Sequence, residues 1–164
     1  MNGRPKMKLS RMFWSVIVMF ALILFASTVP AETELVGCDL SGACFRYMNL
    51  SSANLTFGIF RSTDFESANL SQSDFYSAVL SRSNFKKANL QRAKLTFADL
   101  SDCNFEGADL RDADLTGAWV QGTNFRDANL EGAKTKGLIM MGVTCPDGSF
   151  SDDHNHSCEG HYQK

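Results

Sequence analysis

His154, His156 and His161 are the only histidines in the chain, and they stand close to Asp152, Asp153, Cys145 and Cys158. Imidazole, carboxylate and thiolate groups together form a transition-metal donor set. The spacing supplies little geometry for one. The cysteines do not form a CxxC pair, and no rigid element holds the three imidazoles. If Cys145 and Cys158 are bonded to each other, neither is a thiolate ligand. Asp147, Ser149, Ser151 and Asp153 alternate like the start of a calcium loop. That loop needs Gly in sixth place and Glu in twelfth, where this chain has Asp152 and Cys158. The three histidines stay open as metal candidates, no metal site is assigned, and no cofactor is expected.

Catalytic chemistry has less to work with. No histidine lies between Gly37 and Ala133, which excludes a Ser–His or Cys–His pair there. No phosphate-cradling glycine loop or dinucleotide fingerprint is present. The chain is therefore read as no enzyme and as having no small-molecule substrate.

The element that must position everything else is a five-residue repeat. From Leu40 to Leu130 every fifth residue is Leu or Phe, except Val120. A period of five fits neither the helical 3.6 nor the strand period of 2. Sustained this long, it means a repeat architecture whose units pack on their neighbours. Phe45, Phe65, Phe85, Phe105 and Phe125 recur at twenty residues, as do Leu50, Leu70, Leu90, Leu110 and Leu130. Four pentapeptides thus make one coil with four sides, and residues i and i+20 stack. The nineteen repeats predict nearly five coils, a rod roughly 20–25 Å long at the usual strand spacing.

Two residues before each large position the residue is usually small, as at Ala53, Ala68, Ala88 and Ala108. A narrow interior holding one large side chain has room only for a small second one. Cys38 and Cys103 fall in that slot and are expected to be buried, and Cys103 to be inert. The residue between is often Asn or Asp, which bonds nearby backbone at tight turns. Met48 is bulky for its slot and Trp119 replaces the usual Asn or Asp, so both are expected to distort the coil. Most aromatic residues point inward and read as core, not as a base-stacking platform.

The motif Ala-[Asp/Asn]-Leu stands intact at Ala68-Asn69-Leu70, Ala88-Asn89-Leu90, Ala98-Asp99-Leu100, Ala108-Asp109-Leu110, Ala113-Asp114-Leu115 and Ala128-Asn129-Leu130. Across residues 38–133 the chain closely resembles the pentapeptide repeat family. The resemblance implies an all-β, single-domain, right-handed quadrilateral β-helix. It does not fix function. The tail Cys145-Pro146-Asp147-Gly148 … Cys158 is similar to tails of exported bacterial members.

The segments around the repeat divide as follows. Residues 1–31 read as a signal peptide, with Arg4, Lys6, Lys8 and Arg11 ahead of an apolar run at 12–26 and cleavage after Ala31. That run is short for a membrane span, and an uncleaved anchor at 12–26 is the alternative. Leu35-Val36-Gly37-Cys38 looks like a lipobox, but Glu32 and Glu34 separate it from the apolar run. Residues 32–37 form a lead-in, and 134–164 a cap and polar tail. Cys145 and Cys158 are expected to bond and close a loop over the last coil, with Leu138-Ile139-Met140-Met141 covering its end.

Removing residues 1–31 takes four of sixteen Lys and Arg and none of eighteen acids, leaving a formal charge of about −6. Residues 76–97 hold five basic residues and no acid, whereas 99–131 are mostly acidic, so one end is expected basic and the other acidic. These features suit a non-enzymatic structural or protein-binding scaffold that acts outside the cytoplasm, periplasmic or extracellular. Its partner is a protein or a second copy, docked at an open N-terminal coil near Val36. No direct nucleic-acid contact is expected, and membrane contact only through an uncleaved anchor. The family resemblance also implies an alternative, a DNA-mimic that binds gyrase and protects it from quinolones. The signal peptide, the basic stretch and the short length count against that alternative. A metal-binding exported protein using the tail is a third reading.

Overall fold

The computed structural model describes residues 33–151 and Cys158. The signal-peptide and anchor readings (1–31) and the three histidines lie outside the described residues.

The backbone is one rectangular coil wound repeatedly on itself. Each repeat contributes a short extended piece and a tight turn. At a typical turn the Ala43 N–H donates to the Leu40 carbonyl (3.1 Å), and the residue before Ala43 has positive φ. Positive φ at the third turn position defines a type II turn. Glycine fills it at Gly42, but fourteen non-glycine residues also adopt it, among them Lys87, Phe97 and Asp112. Such backbone persists only where its surroundings over-determine it. Here the bonds between coils do so. The Phe65 N–H donates to the Asn84 carbonyl (2.7 Å), and the Asp64 N–H donates back to the Ala43 carbonyl (2.9 Å).

The resulting parallel bridges join i to i+20 without interruption from Glu34–Asn54 to Asn124–Thr144. The first and last bridged residues are 110 apart, or five and a half coils. The coils therefore run past both ends of the 38–133 repeat read from the sequence. Leu35, placed in the lead-in, is a buried first-coil residue. Residues 134–144, placed in the cap, continue the coil, and Leu138-Ile139-Met140-Met141 forms one of its sides instead of a lid. Leu138 and Met140 pack on the core while Ile139 and Met141 stay exposed. Thr135, Met140 and Cys145 occupy the large inward slot there, which hid the period.

The core is the stacked interior. Phe65, Phe85 and Phe105 are fully buried and stack nearly parallel, with centroids 4.9 and 4.7 Å apart. Phe45 and Phe125 extend the stack at either end at 5.3 and 5.2 Å. Phe60 and Phe75 meet it edge-on. Both arrangements suit the ring quadrupole. The small inward slot includes Gly58, where an added Cβ would collide with the Phe60 ring.

Neither Met48 nor Trp119 distorts the coil. Met48 lies half-buried against the core, and the Trp119 N–H still donates to the Ala98 carbonyl (2.9 Å). Trp119 sits at an outward position, where size is not limited.

Candidate interaction surface

Stacking fixes every side chain to one of four sides or four corners. Side one carries outward residues 34, 54, 74, 94, 114 and 134. Side two carries 39, 59, 79, 99, 119 and 139, side three begins at 44, and side four at 49.

The Asn and Asp residues on these sides serve the backbone first. Asn49 Oδ1 accepts the Ser51 N–H (3.2 Å), and Asp64, Asn84 and Asn104 do the same two residues on. Their amides also link coils, as where Asn69 Nδ2 donates to Asn49 Oδ1 (3.0 Å). These carboxylates and amides are therefore structural. Asp109 shows it most strongly. It accepts from both Arg111 Nε and Nη2, and these bonds hold its carboxyl below the usual carboxylate range, against a smaller desolvation cost.

A second structural set extends the slot in which Cys103 was expected. Thr63, Ser83, Cys103 and Thr123 form a buried column in the small slot. Thr63 donates to the Leu40 carbonyl (3.1 Å), Ser83 to Phe60 (2.5 Å), Cys103 to Leu80 (3.0 Å) and Thr123 to Leu100 (2.8 Å). Each hydroxyl, and the Cys103 thiol, reaches a turn carbonyl of the preceding coil. The only sequence signal is the twenty-residue spacing.

The charges do not make two poles. Residues 76–97 form a middle coil, and the coil that follows supplies acids directly over its basic groups. Lys86 Nζ lies 2.9 Å from Glu106, and Arg82 and Arg92 face Asp102 and Asp112 at 3.9 and 3.7 Å. Arg46 reaches Glu66 at 2.8 Å, so one corner alternates in sign up the rod. These exposed pairs are individually worth little. The Glu106 hydrogen bond and charge push the Lys86 ammonium pKa up.

The corner between sides one and two differs. Phe57, Tyr76 and Phe97 stand exposed there and touch edge-to-face, with centroids 5.6 and 5.9 Å apart. The Phe97 ring lies over Gly117, within reach of where a Cβ would be. Side two beside this corner carries Asp39, Ile59, Val79, Asp99, Trp119 and Ile139 outward. Trp119 is 53% and Phe97 56% exposed. The reading of aromatic residues as core thus holds for the inward phase only. Phe57 and Phe97 fall two residues after it, forty apart and in one column.

The cysteines divide by place. Cys145 is joined to Cys158, with Cα atoms 5.5 Å apart, above the Phe125 position. Cys103 is buried, and burial pushes its thiol pKa far above the usual range. Cys44 is exposed, at an outward position on side three. Cys38 is half-buried instead of buried, and it lies in the first of the described coils. Among the described residues no three His, Cys, Asp or Glu side chains converge as metal ligands, and no helix is long and apolar enough to cross a membrane.

Comparison with known proteins agrees with the coil geometry. The pentapeptide repeats model matches in eight copies, over segments that span residues 33–143. The chain belongs to the pentapeptide repeat family. Its fold is the right-handed quadrilateral β-helix of that family. A pentapeptide repeat protein of the Arabidopsis thaliana thylakoid lumen is 25% identical, with a TM-score of 0.60 over 71% of this chain and 86% of that one. A second, Rfr23 from the cyanobacterium Cyanothece, is 26% identical over 64% of this chain and 85% of that one, with a TM-score of 0.49. QnrB1, a plasmid-mediated fluoroquinolone resistance protein, is 15% identical over 71% of this chain and 67% of that one, at 0.47. No curated protein matches the chain. This pentapeptide repeat protein is a scaffold in form: its interior is closed and its distinctive groups lie on the outside.

Proposed function

We propose that this pentapeptide repeat protein is a non-enzymatic, protein-binding scaffold that acts outside the cytoplasm. The observation that carries the reading is the division of its side chains. The inward positions are filled by packed apolar groups and internally bonded hydroxyls, the Asn and Asp rows are spent on turns, and the aromatic corner is left outward. An exposed aromatic patch on a rigid rod is a recognition feature. Three further observations support an exported protein. The charged and apolar pattern of residues 1–31 has the form of a signal peptide. The Cys145–Cys158 pair suits an oxidising compartment. A relative with the same fold resides in the thylakoid lumen.

In this reading residues 1–31 are removed after Ala31, and the disulfide fastens the chain end over the last coil. A closed end protects the outermost strand edge from unwanted pairing. Fractionation of the native host, followed by affinity capture from each fraction, tests the proposal. It expects the chain in the exported fraction with a protein bound in fixed ratio. Recovery in the cytosol, or a purified chain that turns over a substrate, overturns it.

A further inference from the structure

We propose that the two ends of the rod are the two halves of one hydrogen-bond ladder, and that the hairpin at the chain end is a stop against head-to-tail addition of a second copy. Within the rod each outward residue bonds to the coil below, and its two neighbours bond to the coil above. The Asp109 N–H donates to the Ala88 carbonyl (2.9 Å), and the Asp109 carbonyl accepts the Leu90 N–H (2.7 Å). The Ala108 carbonyl and the Leu110 N–H serve Asn129 above, at 2.9 and 2.8 Å.

At the first described coil the downward groups are unspent. The backbone N–H and C=O of Asp39, Cys44 and Asn49 have no partner among the described residues. At the last coil the upward groups are unspent on two sides joined by one corner. Side one leaves the Ala133 carbonyl and Thr135 N–H, and side two the Leu138 carbonyl and Met140 N–H, without a partner among the described residues. Leu138 and Met140, although inward, are only partly buried.

Side three is the exception, because there the chain turns back on itself. The Val143 carbonyl accepts the Ser151 N–H (2.8 Å), the Cys145 N–H donates to the Ser149 carbonyl (2.7 Å), and Thr144 pairs antiparallel with Phe150. Residues 149–151 thus take the groups that a following coil would take. They also stand where such a coil would pass, so sides one and two are screened from a backbone that must wind on through side three. The Cys145–Cys158 bond ties the hairpin to the chain beyond it.

The occupant is set by the repeat. A parallel backbone with free groups at every fifth residue matches these edges in phase, and the first coil of a second copy is such a backbone. Wound on in the rod's own register, Glu34 of the second copy comes over Lys134, Asp39 over Ile139 and Cys44 over Thr144. The first pairing joins opposite charges. The second repeats one the rod already uses, since Asp99 lies between Val79 and Trp119 on the same side. Side four alone is left without a match. The contact is heterologous and does not close, so unguarded copies would add into a filament. Solenoids need terminal caps for this reason. The proposal rests on removal of residues 1–31, which otherwise precede the joining coil.

Sedimentation velocity and electron microscopy of the full chain as its host processes it are the test, with intact mass to report whether residues 1–31 are gone. The native chain should not elongate as concentration rises. Cys145→Leu with Cys158→Ser and Ser151→Pro unties the hairpin, removes the Ser151 N–H and keeps the inward slot filled. This released chain should form rods of unchanged width whose length grows with concentration, with an unchanged circular dichroism spectrum. Adding Cys44→Pro deletes an N–H that the single rod does not use, and should return the released chain to monomer. Elongation of the native chain overturns the stop. A released chain that stays a folded monomer overturns the proposal, as does assembly indifferent to Cys44→Pro. Loss of the spectrum on release also overturns it, since the hairpin would then hold the last coil together instead of guarding it. Residues 1–31 retained in a chain that still elongates would refute the export reading alone.

Discussion

Replacing Phe85 by alanine removes the central ring of the five-phenylalanine stack. Phe85 has no exposed surface and stacks on Phe65 at 4.9 Å and on Phe105 at 4.7 Å. Truncating a buried Phe costs about 3–5 kcal/mol, because apolar burial is lost and a cavity remains. Phe85 also loses two stacked neighbours, each pair worth about 0.5–1.5 kcal/mol beyond area. Part of that already sits in the truncation figure, so the expected loss is about 4–5 kcal/mol. Against a typical domain stability of about 5–15 kcal/mol, this leaves a marginal rod. Phe85→Asp, which adds an unpaired buried carboxylate, should not fold. Phe45 offers the internal comparison, since it terminates the stack and has only Phe65 above it. Phe45→Ala should therefore cost less than Phe85→Ala. Urea titration followed by circular dichroism reads both, as midpoint shifts at constant slope. Lys86→Ala, next in sequence but outward, should leave the midpoint in place. A Phe85→Ala loss below about 1 kcal/mol, or a larger loss at Phe45, would refute the stacking argument.

Three further outcomes are expected. Gly58→Ala should cost about 1–3 kcal/mol in the same titration, since its methyl collides with the Phe60 ring and the packed core cannot yield. Stability should fall on acidification. Hydrogen bonds from Arg111 to Asp109 and from Ser41 to Asp39 hold both folded carboxyls below their ordinary value of about 3.8. Their contribution is complete above that value and is lost as pH drops through it toward the lower folded values. A denaturation midpoint flat from neutral pH to pH 3 would contradict this. Alkylation should label exposed Cys44 first and half-buried Cys38 more slowly, with Cys103 reacting only after unfolding. Mass spectrometry of the labelled chain reads the order.

Much of the fold was legible because its period is enforced by geometry. A large inward residue every fifth position and identity every twentieth leave one packing solution, and Phe45 through Phe125 showed it directly. The ends were less legible. Thr135, Met140 and Cys145 keep the inward slot but break the Leu/Phe pattern, so the last coil passed for a cap. The hydroxyl column at Thr63, Ser83 and Thr123 was hidden because Ser and Thr are common in loops. The charge pattern misled when taken along the chain. Lys86 and Glu106 are twenty residues apart in sequence and adjacent in space, so a basic segment and an acidic one became stacked partners. The aromatic corner is not legible in the Leu/Phe period, because Phe57 and Phe97 belong to the outward turn phase.

An exported, disulfide-capped scaffold is tested most directly by the chain's mass, measured intact and without reductant after fractionation of the native host. It predicts an exported chain beginning at Glu32 and lighter by two hydrogens, with one disulfide between Cys145 and Cys158 and three free thiols. A full-length cytosolic chain with five free thiols would contradict it.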